Sequence, residues 1–175
     1  GENNSFAYNA AIGISKNPGR AYNPVLIYGG VGLGKTHLAH AIGVDIKEKY
    51  PKKKVLYVSA EKFTQQFISA STTKDKEKNT LNDFIHFYQL IDVLIVDDIQ
   101  FLSGKVKTQD AFFHIFNHLH QNGKQVILTS DKDIINSGHI NAEKVGLQSD
   151  TTIYQKGQVV GRDAVELQAK KNVTF

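Results

Sequence analysis

Gly29-Gly30-Val31-Gly32-Leu33-Gly34-Lys35-Thr36 contains Gly, four residues, Gly-Lys and a hydroxyl residue, the spacing of a complete phosphate-binding loop. Glycines let a backbone wrap an anion with its N–H groups turned inward. A helix N-terminus directly after the loop, here opened by His37, adds its dipole. In such a loop Lys35 reaches the β- and γ-phosphates of a nucleotide, where it serves binding and catalysis alike, and the Thr36 hydroxyl ligates Mg²⁺. A glycine-rich turn without a ligand would not need this spacing between these flanks.

The metal needs a carboxylate across the sheet. Val93-Leu94-Ile95-Val96 followed by Asp97-Asp98 supplies one, about sixty residues downstream. Ligands in open α/β sheets bind at the carboxyl ends of the strands. Asp97 is therefore the candidate Mg²⁺ ligand, and Asp98 the candidate to polarise an attacking water. The run Val126-Ile127-Leu128 leads into Thr129-Ser130-Asp131. A polar side chain there would contact the γ-phosphate or the water, or simply cap a turn. Which of the three does so is open at this level.

These residues require elements to position them. Val25–Tyr28 reads as a buried strand and His37–Glu48 as the helix behind the loop, ended by Pro51. A first helix is expected over 5–16, with Phe6, Ala10, Ala11 and Ile14 at helical spacing. Val55–Val58 reads as a second strand. It is followed by helices over Glu61–Ser69, with Phe63, Phe67 and Ile68 on one face, and over Leu81–Gln89. Residues 69–80 lack apolar periodicity and read as a loop. Thr108–His120 is expected to be helical, with Phe112, Phe113, Phe116 and Leu119 inward. This alternation predicts an α/β fold of three αβα layers around a mainly parallel sheet. Beyond Asp131 the pattern weakens. Ile153-Tyr154 and Val159-Val160 read as short strands and Asp163–Lys171 as a helix, and no internal repeat is evident.

Composition narrows the classes. The chain has 175 residues, 41% of them hydrophobic, enough for one ordinary domain with a core. It has no cysteine, which excludes disulfides and thiolate metal sites. No stretch is long and apolar enough for a membrane span, and the start does not read as a signal peptide. Opening on Gly1 without a methionine, the sequence reads as a piece of a longer protein. The net charge of +4 suits an anionic partner. Lys47, Lys49, Lys52, Lys53 and Lys54 cluster around Pro51 and read first as a solvated surface, with nucleic-acid contact as the alternative. His114 and His118 are four apart on one helix, but the glutamate of a zinc-protease pair is replaced by Ile115, so a plain helix face is expected.

The wider strings "NPGRAYNPVLIYGGVGLGKTHLAHAIG", "VLYVSAEKFTQQFI", "DVLIVDDIQFLSGK" and "TQDAFFHIFNHLHQNGKQVILTSDK" closely resemble the DnaA family of bacterial chromosomal replication initiators, from about residue 4 to 132. The resemblance implies an AAA+ P-loop core over 1–132, with 133–175 an atypical end of the core or a partial lid. It implies ATP, ADP and Mg²⁺ as ligands, a cytoplasmic location, and slow ATP hydrolysis as a switch. Assembly would be head to tail on origin DNA, with a replicative helicase as a further partner. The helices at about 61–89 correspond to the initiator-specific insertion, which in the family faces single-stranded DNA. That makes Lys62, Thr64, Gln65 and Gln66 the candidate DNA contacts. Tyr22 and Asn23 match the stretch that approaches the base, and Asp131 falls in the sensor-1 region. The chain has only Arg20 and Arg162, with no counterpart of the family's arginine finger, and lacks the duplex-reading domain. An AAA+ adaptor or helicase loader, or a nucleotide-binding scaffold without turnover, are the alternative functions.

Overall fold

Strand periodicity divides the hydrophobic residues of this chain between two faces. In the computed structural model, which describes residues 2–72, 80–131 and the backbone of five strands within 135–174, strand β3 (Val93–Asp97) is buried along its whole length. Its alternate residues point opposite ways. Val93 and Ile95 join one apolar cluster with Ile14, Ala39, Ile42, Ile46 and Ile127. Leu94 and Val96 join the other, with Phe63, Phe67, Phe84, Tyr88, Phe112, Ile115, Phe116 and Leu119. A strand dressed on both sides must be the middle layer of three.

The other strands of this sheet are β1 (Val25–Tyr28), β2 (Val55–Ser59) and β4 (Gln125–Ser130). All pair in parallel, in the order β1-β4-β3-β2. Helices α1 (Glu2–Lys16) and α2 (Lys35–Lys49) supply the first cluster, and α3 (Ala60–Thr72), α4 (Leu81–Gln89) and α5 (Val106–Gln121) the second. Helix α2 lies so close to the sheet that a Cβ on Gly43 would stand 2.6 Å from the Ile95 side chain.

The insertion between β2 and β3 is held by aromatic packing. Phe63 of α3 meets Phe84 and Tyr88 of α4 at 5.3 and 5.0 Å, and Phe112 of α5 at 5.7 Å between ring centroids. Helix α4 begins where Thr80 and Asp83 cap each other reciprocally, with the Thr80 N–H donating to Asp83 at 2.9 Å. Helix α3 continues to Thr72, into the segment read as loop. The rest of that segment, 73–79, lies outside the described residues. Ile68 was expected on the buried face but is exposed, because it lies a further 100° or so around the helix from the Phe63–Phe67 line.

Strand β4 extends past the apolar run at both ends. Gln125 is fully buried because its amide is consumed: Oε1 accepts the Gly19 N–H and Nε2 donates to the Tyr22 carbonyl, both at 2.9 Å. At the other end Thr129 and Ser130 are strand residues, not a turn cap.

Beyond the core lie β5 (Ile135–Asn136), β6 (His139–Ser149), β7 (Thr152–Gln155), β8 (Gln158–Ala169) and β9 (Asn172–Thr174). The helix expected over Asp163–Lys171 is not formed: β8 runs through Ala169 as strand. Val165, Leu167 and Ala169 alternate at period two, and that pattern overrides the helix propensity of the intervening residues. β6 pairs with β8 and β5-β7-β9 pair in order, every pair parallel. The partners are offset by 19 or 20 residues: His139 opposite Gln158, Ile153 opposite Val173. Val145 stands opposite Val165, Leu147 opposite Leu167 and Gln148 opposite Gln168. The offset changes from 19 to 20 residues at a one-residue register shift between Ala142 and Lys144.

Candidate nucleotide site

The loop after β1 turns through Gly32 and Gly34, both at φ 80°, a conformation that costs other residues dearly. Gly34 is also the residue from which α2 starts. The loop is tied down at its base, where the Gly29 N–H donates to the Ser130 carbonyl at 3.2 Å. Val31 and Leu33 stand out into solvent, 83% and 72% exposed. The Lys35 ammonium donates to the Gly30 carbonyl at 2.9 Å, so the loop's positive charge is folded back over its own backbone. Beside it opens a cleft of about 580 Å³ lined by Gly32, Gly34, Lys35, Thr36, His37, His40 and Tyr57.

Parallel pairing brings the end of β3 beside the end of β1 through β4, so the acidic pair meets the loop. The Thr36 hydroxyl lies 3.1 and 3.0 Å from the two Asp97 oxygens. Asp97 is buried and accepts two further hydroxyls: Thr129 donates to Oδ1, and Tyr57 to Oδ2 at 2.5 Å. Burial, together with the neighbouring Asp97 carboxylate, pushes the Tyr57 phenol well above its ordinary range, so it remains a proton donor. His40 packs edge-on against the Tyr57 ring, 5.6 Å between centroids.

Asp98 adopts a left-handed backbone, φ 58° and ψ 52°, which turns the chain out of the strand into a 3-10 turn over Ile99–Leu102. Strain of this kind concentrates at functional sites. Its N–H donates to the Thr129 hydroxyl at 2.9 Å, and Gln100 donates to its carboxylate at 3.1 Å. Gln100 Oε1 and Asp131 Oδ1 are buried without a hydrogen-bond partner among the described residues. Buried polar atoms of this kind ordinarily have one, so a polar ligand or water belongs near them.

The expected residues do not all converge. Thr36, Lys35 and Asp97 come together at one end of the sheet, while Asn23 serves its opposite end. There its amide donates to the Lys124 carbonyl at 2.7 Å and accepts the Val126 N–H at 2.9 Å, pinning the start of β4. The Tyr22 ring is half exposed and lies against Gly13. On α3, Thr64 is a correction: it is buried, and its hydroxyl donates to the Ala60 carbonyl at 2.8 Å, which removes it as a DNA contact. Lys62 and Gln65 are exposed, and Gln66 accepts the Tyr88 hydroxyl at 2.6 Å. In the lysine cluster, Lys47 binds the Pro51 and Lys53 carbonyls and Lys49 pairs with Asp45. His114 is exposed and His118 half-buried on α5, and no group of three or more His, Cys, Asp or Glu side chains that could hold a metal occurs among the described residues. Sequence reasoning missed Tyr57 and His40. The one signal for Tyr57 was a hydroxyl-bearing residue inside an apolar edge strand.

Residues 1–143 match the family model described as the bacterial DnaA ATPase domain. The chain is 68% identical over 133 residues to the chromosomal replication initiator protein DnaA of Flavobacterium psychrophilum, and 57% identical to that of Bacteroides thetaiotaomicron, in each case over 75% of this chain and 27% of the relative. It thus spans about a quarter of the length of these relatives. Domain III of the Thermotoga maritima initiator superposes with a TM-score of 0.68 at 45% identity, covering 75% of this chain and 53% of that one. A DnaA bound to AMPPCP and single-stranded DNA superposes at 0.66 and 44%, covering 74% and 38%. The DnaC helicase loader, at 21% identity and 0.59, shares the fold.

Proposed function

The chain belongs to the bacterial DnaA ATPase domain family, and from that premise we propose that it is the ATP-binding core of a replication initiator, a switch whose nucleotide state governs assembly on DNA. The observation that carries this reading is the meeting of Thr36 with Asp97, 3.0 Å apart beside a phosphate loop, although 61 residues separate them in sequence. A hydroxyl and a carboxylate at that spacing suit one hard cation, and the oxygen-only donor set suits Mg²⁺. When bound, Mg²⁺ neutralises charge on the transferring phosphoryl group. Thr36 and Asp97 would hold it.

The chain's own groups do the rest. Lys35 leaves the Gly30 carbonyl for the β- and γ-phosphates. Asp98, aimed by its left-handed backbone and by Gln100, orients the water that attacks the γ-phosphorus as the bond to ADP breaks. Asp131, whose Oδ1 has no hydrogen-bond partner among the described residues, is the γ-phosphate sensor, because Thr129 is occupied by Asp97 and Asp98. Arg20 is exposed on the turn before β1, where Gly19 meets Gln125, so it does not serve the phosphates of its own site. Turnover by a single subunit is therefore slow, and faster turnover needs a neighbour's arginine.

The structural relative with bound AMPPCP and single-stranded DNA supports both ligands for this chain. The DNA contacts are Lys62 and Gln65 on the exposed side of α3, with Gln66 at their border. On the nucleotide side, the half-exposed Tyr22 ring is the contact for the adenine base. Head-to-tail assembly, a replicative helicase partner and a cytoplasmic location complete the proposal, and no helix among the described residues is long and apolar enough to cross a membrane. The test is binding of a labelled single-stranded oligonucleotide, followed by anisotropy with Mg²⁺ and either ATP or ADP. Tighter binding with ATP, weakened in Lys62→Ala, is expected. Equal binding with the two nucleotides would favour a scaffold without a switch.

A further inference from the structure

We propose that Tyr57 is a positioning residue for the metal-facing carboxylate: its phenol and the Thr129 hydroxyl each hold one oxygen of Asp97, fixing the plane in which that carboxylate meets a cation. The proposal rests on the nucleotide-binding reading above. Tyr57 lies on the edge strand β2 and reaches across to β3, with its hydroxyl 2.5 Å from Asp97 Oδ2. Thr129 reaches Oδ1 from the other neighbour, β4. Asp97 is thus gripped from both flanking strands.

Thr36 is the third hydroxyl on Asp97, and its role differs. It lies 3.1 and 3.0 Å from the two oxygens, a shared contact weaker than either single one. Its oxygen is the one needed on the cation, so this contact yields when the cation enters. Tyr57 and Thr129 have no such second duty toward the metal and stay in place. Mg²⁺ demands near-octahedral geometry and tolerates little misalignment of its ligands. Outer partners that orient a ligand carboxylate typically contribute 10- to 100-fold in metal affinity.

A purely structural role fits Tyr57 less well. Its side chain is partly exposed, 38% overall, and its ring edge is met by His40 at the mouth of the cleft, outside both apolar clusters. Removing the hydroxyl while keeping the ring therefore removes the grip on Asp97 and little packing.

The test is Tyr57→Phe in the full chain, with a non-hydrolysable ATP analogue titrated by calorimetry in EDTA and at a series of Mg²⁺ concentrations. The expected result is analogue affinity in EDTA within about twofold of the parent, an unchanged melting temperature, and a Mg²⁺ requirement for half-maximal enhancement raised about tenfold. Thr129→Ser, which keeps a hydroxyl on Oδ1, should stay near the parent, and Thr129→Val should share the raised Mg²⁺ requirement but melt lower, because the Thr129 hydroxyl also holds the Asp98 N–H. An unchanged Mg²⁺ requirement in Tyr57→Phe overturns the positioning role while leaving nucleotide binding intact. A parent chain that binds no analogue under any condition overturns the nucleotide reading and this proposal with it.

Discussion

Thr129 joins the two acidic residues of the site: its hydroxyl donates to the Asp97 carboxylate and accepts the Asp98 backbone N–H at 2.9 Å. Thr129 is fully buried, so neither group can turn to water if the hydroxyl is lost. Thr129→Val keeps the shape, orphans the Asp98 N–H and strips Asp97 Oδ1 of its closest hydroxyl, leaving Asp97 only the Thr36 and Tyr57 contacts. The expected cost is about 1–3 kcal/mol, read from denaturant unfolding. A variant as stable as the parent would mean that the two groups find other partners.

Asp98→Asn separates binding from turnover. Asparagine tolerates the left-handed backbone that Asp98 adopts, so the turn into Ile99–Leu102 survives. ATP affinity should be unchanged within about twofold, with hydrolysis slowed by about 10²-fold or more, as for loss of a general base. Equal single-turnover rates would remove Asp98 from the mechanism.

Phe63→Ala tests whether the insertion helices are anchored through one ring. Phe63 is fully buried and contacts Phe84, Tyr88 and Phe112. Loss of about 3–5 kcal/mol is expected. Helices α3 and α4 should lose hydrogen-exchange protection before the phosphate loop does. Uniform loss of protection would show that the insertion and core unfold as one unit.

The strand-start end of the sheet carries a pH-dependent tie. Burial raises the Asp92 carboxyl, but the Lys124 ammonium at 2.5 Å, the Lys54 N–H at 2.8 Å and the Lys53 charge outweigh it, and the carboxyl sits below its ordinary range. A depressed folded value stabilises above the unfolded value of about 3.9, and the gain is lost as pH falls through the folded one. Asp92→Asn should therefore be less stable by about 1 kcal/mol at neutral pH, a modest figure because both partners are partly exposed. The gap should close as pH falls through the folded value, below the ordinary carboxylate range. A gap independent of pH would assign the effect to packing.

How far the sequence foretold this depends on where each signal lies along the chain. Leu81–Gln89 is bounded as expected, because a local capping box and a helical run of aromatics are both written in consecutive residues. The phosphate loop and the acidic pair are likewise local strings. Thr129 was legible only as one of three alternatives, since its partners are fixed by how β3 and β4 register, a relation between residues 31 or 32 positions apart. Tyr57 showed only as a hydroxyl inside an apolar strand, and its role was hidden because it depends on β2 being the neighbour of β3. Thr64 looked polar and available, but its helical position turns it inward. In the tail, helix-favouring residue types between Val165 and Ala169 obscured an alternation that parallel pairing with β6 makes plain.

The central claim is that this chain binds ATP through Lys35 and the loop around it. It is tested most directly by measuring ATP and ADP affinity with Mg²⁺ for the parent and for Lys35→Ala. The Lys35 ammonium donates to the loop's own Gly30 carbonyl, so its removal should not unfold the domain. Tight binding by the parent, weakened at least about 100-fold in a variant with an unchanged melting temperature, is the predicted result, since charge-assisted phosphate contacts are among the strongest hydrogen bonds. Equal affinity in the two folded proteins, or no binding by a folded parent, would contradict it.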